Sequence, residues 1–164
     1  MGAALCLAVA ACSGSGSAAA SPSAHPSHSA SVAPTQPTSG PAAIAAITAN
    51  WETLFNGAVA VPRRLALLQN GQQFAAFVHS QAKTSLGSLV LDASAKVSSV
   101  KLEPPGRADV IYTILLGGKP LEKNLHGTAV YAGGSWEVAT ATFCDLLRLA
   151  YGKTSHLIPA ACGR

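Results

Sequence analysis

The residues best equipped for chemistry in this 164-residue chain are its four cysteines, its five histidines and a few Ser/Lys pairs. Cys144 and Cys162 stand 18 positions apart near the C-terminus. In an oxidising compartment such a pair reads as a disulfide that ties the tail TSHLIPAAC back onto the segment before it. As a free thiol, Cys144 would instead be a nucleophile that needs His126 or His156 as its base. Ser80-Gln81-Ala82-Lys83 and Ser98-Ser99-Val100-Lys101 both match S-x-x-K, and Lys153-Thr154-Ser155 loosely echoes the K-T-G element of penicillin-binding enzymes. No S-D-N accompanies them, and patterns of such common residues recur by chance. Gly152-Lys153-Thr154 has the ending of a phosphate loop, but Leu147 occupies the position that requires Gly. His79 has no acid at a reasoned spacing to make it a general base. His25 and His28, in HPSH, have no further ligands nearby. Asp92, Asp109 and Asp145 fall near element ends, where caps and turns use them. The sequence therefore carries no catalytic constellation and no metal or cofactor site, and no enzyme is expected.

These side chains must be positioned by a fold, and composition divides the chain first. Residues 1–11 are small and apolar, with the look of a signal peptide, and Cys6 would leave with them. Residues 12–40 are mostly Ser, Ala, Pro, Gly and Thr, with two histidines and no charged side chain. Such a stretch buries too little apolar surface to offset chain entropy and reads as a disordered spacer. Fully stretched, it would reach on the order of 90 Å. Residues 41–164 carry the periodic patterns of a single domain. Charged residues make up 11% of the chain, well below the roughly 25% of an ordinary soluble domain. The net charge of +4 is scattered without a basic cluster or interleaved aromatics, which argues against a nucleic-acid partner. The leading apolar run is far shorter than the ~20 residues that span a bilayer.

Within the domain, helices come first. PAAIAAITANWETLFNG places Ile44, Ile47, Trp51, Leu54 and Phe55 on one stripe, with Pro41 at the start and Gly57 as a terminator. PRRLALLQ and QQFAAFVHSQAK follow as shorter helices. The period then changes to that of strands in SAKVSSVKLE, DVIYTILL, GTAVYA and SWEVATATF, separated by Pro104-Pro105-Gly106, Gly117-Gly118 and Gly133-Gly134. Both faces of DVIYTILL are fairly apolar, which predicts a central strand covered on one side by helices. FCDLLRLAYG predicts a terminal helix. Helices followed by consecutive antiparallel strands imply an α+β domain. Trp51, Phe74, Phe77, Tyr112 and Trp136 stand as candidate pocket-lining residues, with plain core packing as the alternative.

AIAAITANWETLFNG, RLALLQNGQQF, VIYTILLGGKPL and LHGTAVYAGGSWEVATATFCDLL together resemble the mycobacterial low-molecular-weight secreted antigen family. The resemblance spans nearly all of residues 41–164, and TAVYAGGSWEVATATFC is its most specific part. It implies a small exported α+β domain, with N-terminal helices on a curved antiparallel sheet of about four strands in a cystatin-like or nuclear-transport-factor-like roll. It supplies no catalytic residue. Val9-Ala10-Ala11-Cys12 resembles the bacterial lipobox, in which small residues admit the peptidase and the cysteine takes a diacylglyceryl group. A signal peptide ordinarily opens with positive charge, which MGAALCL lacks, so the start is expected upstream of Met1.

Taken together, these residues lead to an exported lipoprotein, anchored to the outer face of the membrane through Cys12 with the spacer holding the domain away. The alternative is a chain released by ordinary signal cleavage. The domain is expected to bind a small apolar ligand. A protein or cell-wall interaction without a pocket is the competing reading, and a small acid-base enzyme of the same fold is the third.

Overall fold

The computed structural model describes residues 35–103, 105–153 and 155–163. The expected signal segment, Cys12, His25 and His28 lie outside these residues.

Residues ahead of the first helix are bonded to the sheet. The Gln36 amide donates to the Gly134 carbonyl at 2.8 Å. Its side-chain Oε1 accepts from the Trp136 amide at 2.8 Å and from Asn50 Nδ2 at 3.0 Å. The Tyr131 hydroxyl donates to the Gln36 carbonyl, and Trp136 Nε1 donates to the Pro37 carbonyl, both at 2.8 Å. Residues 36–37, at the end of the expected spacer, thus form a strap across the β-hairpin that contains Trp136. Apart from Asn50, their partners lie about a hundred positions away, which local composition cannot reveal.

Helix α1 runs Gly40–Leu54 with Pro41 in its first turn, where the missing N–H costs nothing. Ser39 is extended ahead of it, but its side chain makes no capping bond. Ala43, Ile47, Trp51 and Leu54 form the buried stripe, while Ile44 turns outward at 37% exposure. The helix closes through Phe55, which is not left-handed, and Gly57 keeps an ordinary φ. Helix α2, Val61–Leu65, is fastened to the end of α1 by Arg64 Nε donating to the Leu54 carbonyl at 2.6 Å. A 3-10 turn, Gly71–Phe74, leads into α3, Ala75–Gln81. Helix α4, Ser85–Leu91, starts at Thr84, whose Oγ1 accepts the Gly87 amide at 2.9 Å.

Four strands follow: β1 Ser94–Glu103, β2 Arg107–Leu116, β3 Lys119–Ala132 and β4 Ser135–Val138. They pair antiparallel in sequence order, so the fold is α+β with an open meander sheet. Strand β2 is internal, and its Ala108, Val110, Tyr112 and Ile114 are buried on the helix-covered face. The register shifts between Val97 and Ser99 and again between Tyr112 and Leu115, irregularities of the kind that bend a sheet. Gly133 and Gly134 both have positive φ, which the tight β3–β4 turn requires.

Two strand boundaries differ from expectation. Strand β3 begins at Lys119, although residues 119–124 are all exposed and show no alternation for the sequence to display. Strand β4 stops at Val138, and ATATF turns into helix α5, Thr140–Tyr151. The reason is tertiary. Val138 donates to the Leu67 carbonyl, and the Thr140 hydroxyl donates to the Gln69 carbonyl at 2.6 Å, drawing the chain off the sheet.

The core joins α1 to the sheet. The Trp51 ring meets Tyr112 edge-on at 5.0 Å, and Phe55 stacks on Tyr112 at 6.2 Å. Burial drives the Tyr112 phenol well above its ordinary pKa, with Asp145 adding to the shift. Trp51 Nε1 is buried with no hydrogen-bond partner. Helix α5 closes the domain, and Cys144 bonds to Cys162 to bring the tail back to it, as the sequence reading expected.

Candidate functional site

The disulfide removes the cysteine nucleophile, because Cys144 carries no thiol. His79, His126 and His156 are all exposed, on three separate parts of the fold. Ser80 Oγ donates to the Phe77 carbonyl within its own helix, and Ser98 Oγ donates to the Ile111 carbonyl. Lys101 pairs with Glu103 at 2.8 Å. Neither S-x-x-K pair therefore forms a site. Among the described residues no group of three or more His, Cys, Asp and Glu side chains comes together.

The aromatic candidates divide. Trp51, Phe74, Tyr112 and Trp136 are at most 1% exposed and pack in the core, the alternative that the sequence reading carried. Large rings on the inward faces of α1, β2 and β4 fill the space between helix and sheet. Phe77, the fifth, lines a groove.

That cavity is an apolar groove of about 370 Å³. Phe77 and Val78 come from α3, Ile114 and Leu116 from the end of β2, and Phe143 and Leu147 from α5. Its rim is more telling than its floor. Leu89, Leu121 and Leu149 are 51%, 61% and 54% exposed, and all three border this groove. They are the three most exposed of the large hydrophobic residues in the described chain. Each comes from a different element: α4, β3 and α5. Singly exposed leucines need no explanation, but a set gathered around one concavity marks an interaction surface.

Polar groups in the groove are few. Gln81, only 8% exposed, uses its Oε1 to accept the Tyr151 hydroxyl at 3.1 Å. Burial raises the Tyr151 pKa above its ordinary value. Arg64 also lines the groove, and its pKa is lowered by burial and partly restored by Asp92. Glu122 stands at the exposed margin. The groove thus combines apolar walls with a small number of polar groups.

A second depression, of about 620 Å³, lies beside the disulfide-closed tail and includes Arg148, Lys153 and His156. Arg148 is already engaged with Asp145 and with the Cys162 carbonyl. Lys153 and His156 are exposed, so no buried polar group converges there.

Sequence reasoning missed Leu89, Leu121, Leu149 and Gln81. Leu121 sits in the polar run KPLEKNL, where a lone leucine has no period to betray it. Leu149, three residues after Leu146, offered a faint signal by widening the apolar stripe of α5. Among the described residues no helix is long and apolar enough to cross a membrane.

No curated protein matches the chain. A family model described as "Low molecular weight antigen MTB12, C-terminal domain" matches residues 40–154. That match covers the helices, the whole sheet and the walls of the groove, and it agrees with the resemblance carried by TAVYAGGSWEVATATFC. The chain therefore belongs to the family of the low molecular weight antigen MTB12, a mycobacterial secreted antigen, through the antigen's C-terminal domain.

Proposed function

We propose that this protein is a non-catalytic lipoprotein, anchored outside the membrane through Cys12, whose domain holds a small apolar ligand in the groove rimmed by Leu89, Leu121 and Leu149. The gathering of these three exposed leucines around one concavity is the observation that carries the reading. The groove's volume of about 370 Å³ falls within the ~300–1,000 Å³ typical of ligand sites.

Residues 36–37 join the domain at the end of the sheet opposite the groove. Gln36 joins the domain beside the Gly133-Gly134 turn, whereas Leu116 and Leu121 flank the Gly117-Gly118 turn. The intervening strand β2 has ten residues, which at ~3.3 Å per residue separates them by roughly 30 Å. Two acyl chains on Cys12 would hold the domain stably where one would not.

Native mass spectrometry of the full chain isolated from its own host tests both parts. The expected protein begins at Cys12, carries a covalent diacylglyceryl adduct there and retains a non-covalent lipid. An unmodified Cys12 contradicts the anchor, and a ligand-free domain contradicts the binding reading.

A further inference from the structure

The tail gathers basic side chains around one concavity. From Leu146 to Gly163 the chain carries Arg148, Lys153 and His156 and no acidic residue. All three line the depression of about 620 Å³ beside the disulfide, together with Ser155 and without a carboxylate side chain. The cations of the sheet are placed differently. Lys101 pairs with Glu103 and stands opposite Asp109, and Arg107 stands opposite Glu103.

Arg148 is held in place but not used up. Its Nη1 donates to Asp145 at 3.0 Å and its Nη2 to the Cys162 carbonyl at 2.7 Å. A guanidinium carries five N–H donors, so these two bonds orient the group without exhausting it. Asp145 is 75% exposed, and an ion pair so open to water neutralises little. The Ser155 hydroxyl accepts the Leu157 amide at 3.1 Å and still has a proton to give.

The disulfide sets the geometry. Lys153, Ser155 and His156 lie in the loop between α5 and a 3-10 turn, Ala160–Cys162, and the Cys144–Cys162 bond fastens that turn to the helix. Within the loop the Ser155 amide donates to the Gly152 carbonyl and the Ile158 amide to the Ser155 carbonyl, both at 3.2 Å. The closed loop keeps Lys153 and His156 on the same concavity as Arg148.

We propose that this disulfide-closed tail is an anion site for a phosphate group carried on an organic body, with Arg148 as the fixed anchor and Lys153, His156 and Ser155 around it. Phosphate suits the site better than a carboxylate, because it spreads more charge over more acceptor oxygens and meets a guanidinium through two bonds at once. The depression is much larger than a bare phosphate, and Ile158 and Pro159 give it apolar wall for the attached body. A soluble phosphoester and a phospholipid headgroup share this chemistry. The site is separate from the apolar groove, and neither reading depends on the other.

The test titrates the full, unacylated chain at low salt with glycerol 3-phosphate, with acetate as the comparison anion, and follows backbone amide shifts by NMR. Glycerol 3-phosphate should give saturable shifts confined to Arg148 and residues 152–163, and acetate should bind more weakly. Lys153→Ala with His156→Ala should weaken glycerol 3-phosphate about five-fold, the order expected for two water-exposed charge contacts. Both residues are exposed, so the fold tolerates the change. Reduction of the disulfide keeps the formal charge and should cost at least as much, because it releases the loop. Sedimentation with phosphatidylglycerol vesicles assigns the source. Vesicle binding that the double variant weakens identifies a lipid headgroup. Vesicle binding that is absent, or equal in both proteins, identifies a soluble ester as the ligand of the glycerol 3-phosphate site. Shifts spread evenly over the surface lysines, affinity unchanged in the double variant or on reduction, or acetate bound as tightly as the phosphoester would each overturn the proposal.

Discussion

Replacing Gly127 by alanine will destabilise the domain by about 3 kcal/mol, the upper part of the range for overpacking a close-packed core. A Cβ at this position of β3 would stand 2.6 Å from Thr142 Cγ2 and 2.7 Å and 2.9 Å from two atoms of the Trp51 ring. Neither neighbour can yield. Trp51 is 1% exposed and wedged against Tyr112 and Phe55. Thr142 Oγ1 accepts the Thr128 amide at 2.9 Å, which fixes the rotamer that aims its methyl at Gly127. Urea unfolding monitored by Trp fluorescence reads the loss. Thr142→Ser removes the methyl and keeps the hydroxyl, so the double variant should recover part of it. A Gly127→Ala change below about 0.5 kcal/mol would show that the helix–sheet contact is looser than described.

The second large effect belongs to the disulfide. Cys144 and Cys162 close a loop with a sequence separation of 18, for which chain entropy predicts about 3 kcal/mol of stabilisation. Cys144→Ala with Cys162→Ala, or reduction of the wild type, should lower the urea midpoint accordingly. Cys144 is 2% exposed in the core, whereas the tail around Cys162 is only half-buried. The tail should accordingly loosen first, making the exposed Lys153 a tryptic site before the sheet unfolds. Arg148 Nη2 donating to the Cys162 carbonyl at 2.7 Å would then be the main remaining tie. An unchanged midpoint under reduction would mean that the tail contributes nothing to the fold. Because α5 also builds one wall of the groove, loss of the disulfide should weaken ligand binding as well.

What the sequence made legible follows from how locally each feature is encoded. Strand β2 was readable because Val110, Tyr112 and Ile114 alternate along ten residues, and its central place followed from the apolar character of both faces. The Cys144–Cys162 bond was readable from count and compartment alone. Helix α4 was not, because Gly87 interrupts SLGSLVL and its start depends on the Thr84 cap. The first half of β3 was not, because every residue from Lys119 to Asn124 is exposed and leaves no period. The aromatic residues were visible, but whether a ring fills a core or lines a cavity depends on distances between elements. Trp51 and Tyr112 meet at 5.0 Å across helix and sheet and close that space completely. The groove itself was out of reach, since Leu89, Leu121 and Leu149 come together only once α4, β3 and α5 have docked.

The central claim is that this concavity binds an apolar ligand, and titration of the full chain with N-phenyl-1-naphthylamine tests it most directly. The account predicts saturable one-to-one binding, weakened about ten-fold in the double variant Leu121→Gln, Leu149→Gln by the loss of apolar contact. Because both leucines are more than half exposed, stability should change by less than about 1 kcal/mol. Absence of saturable binding by the wild type, or equal binding by the double variant, would contradict it.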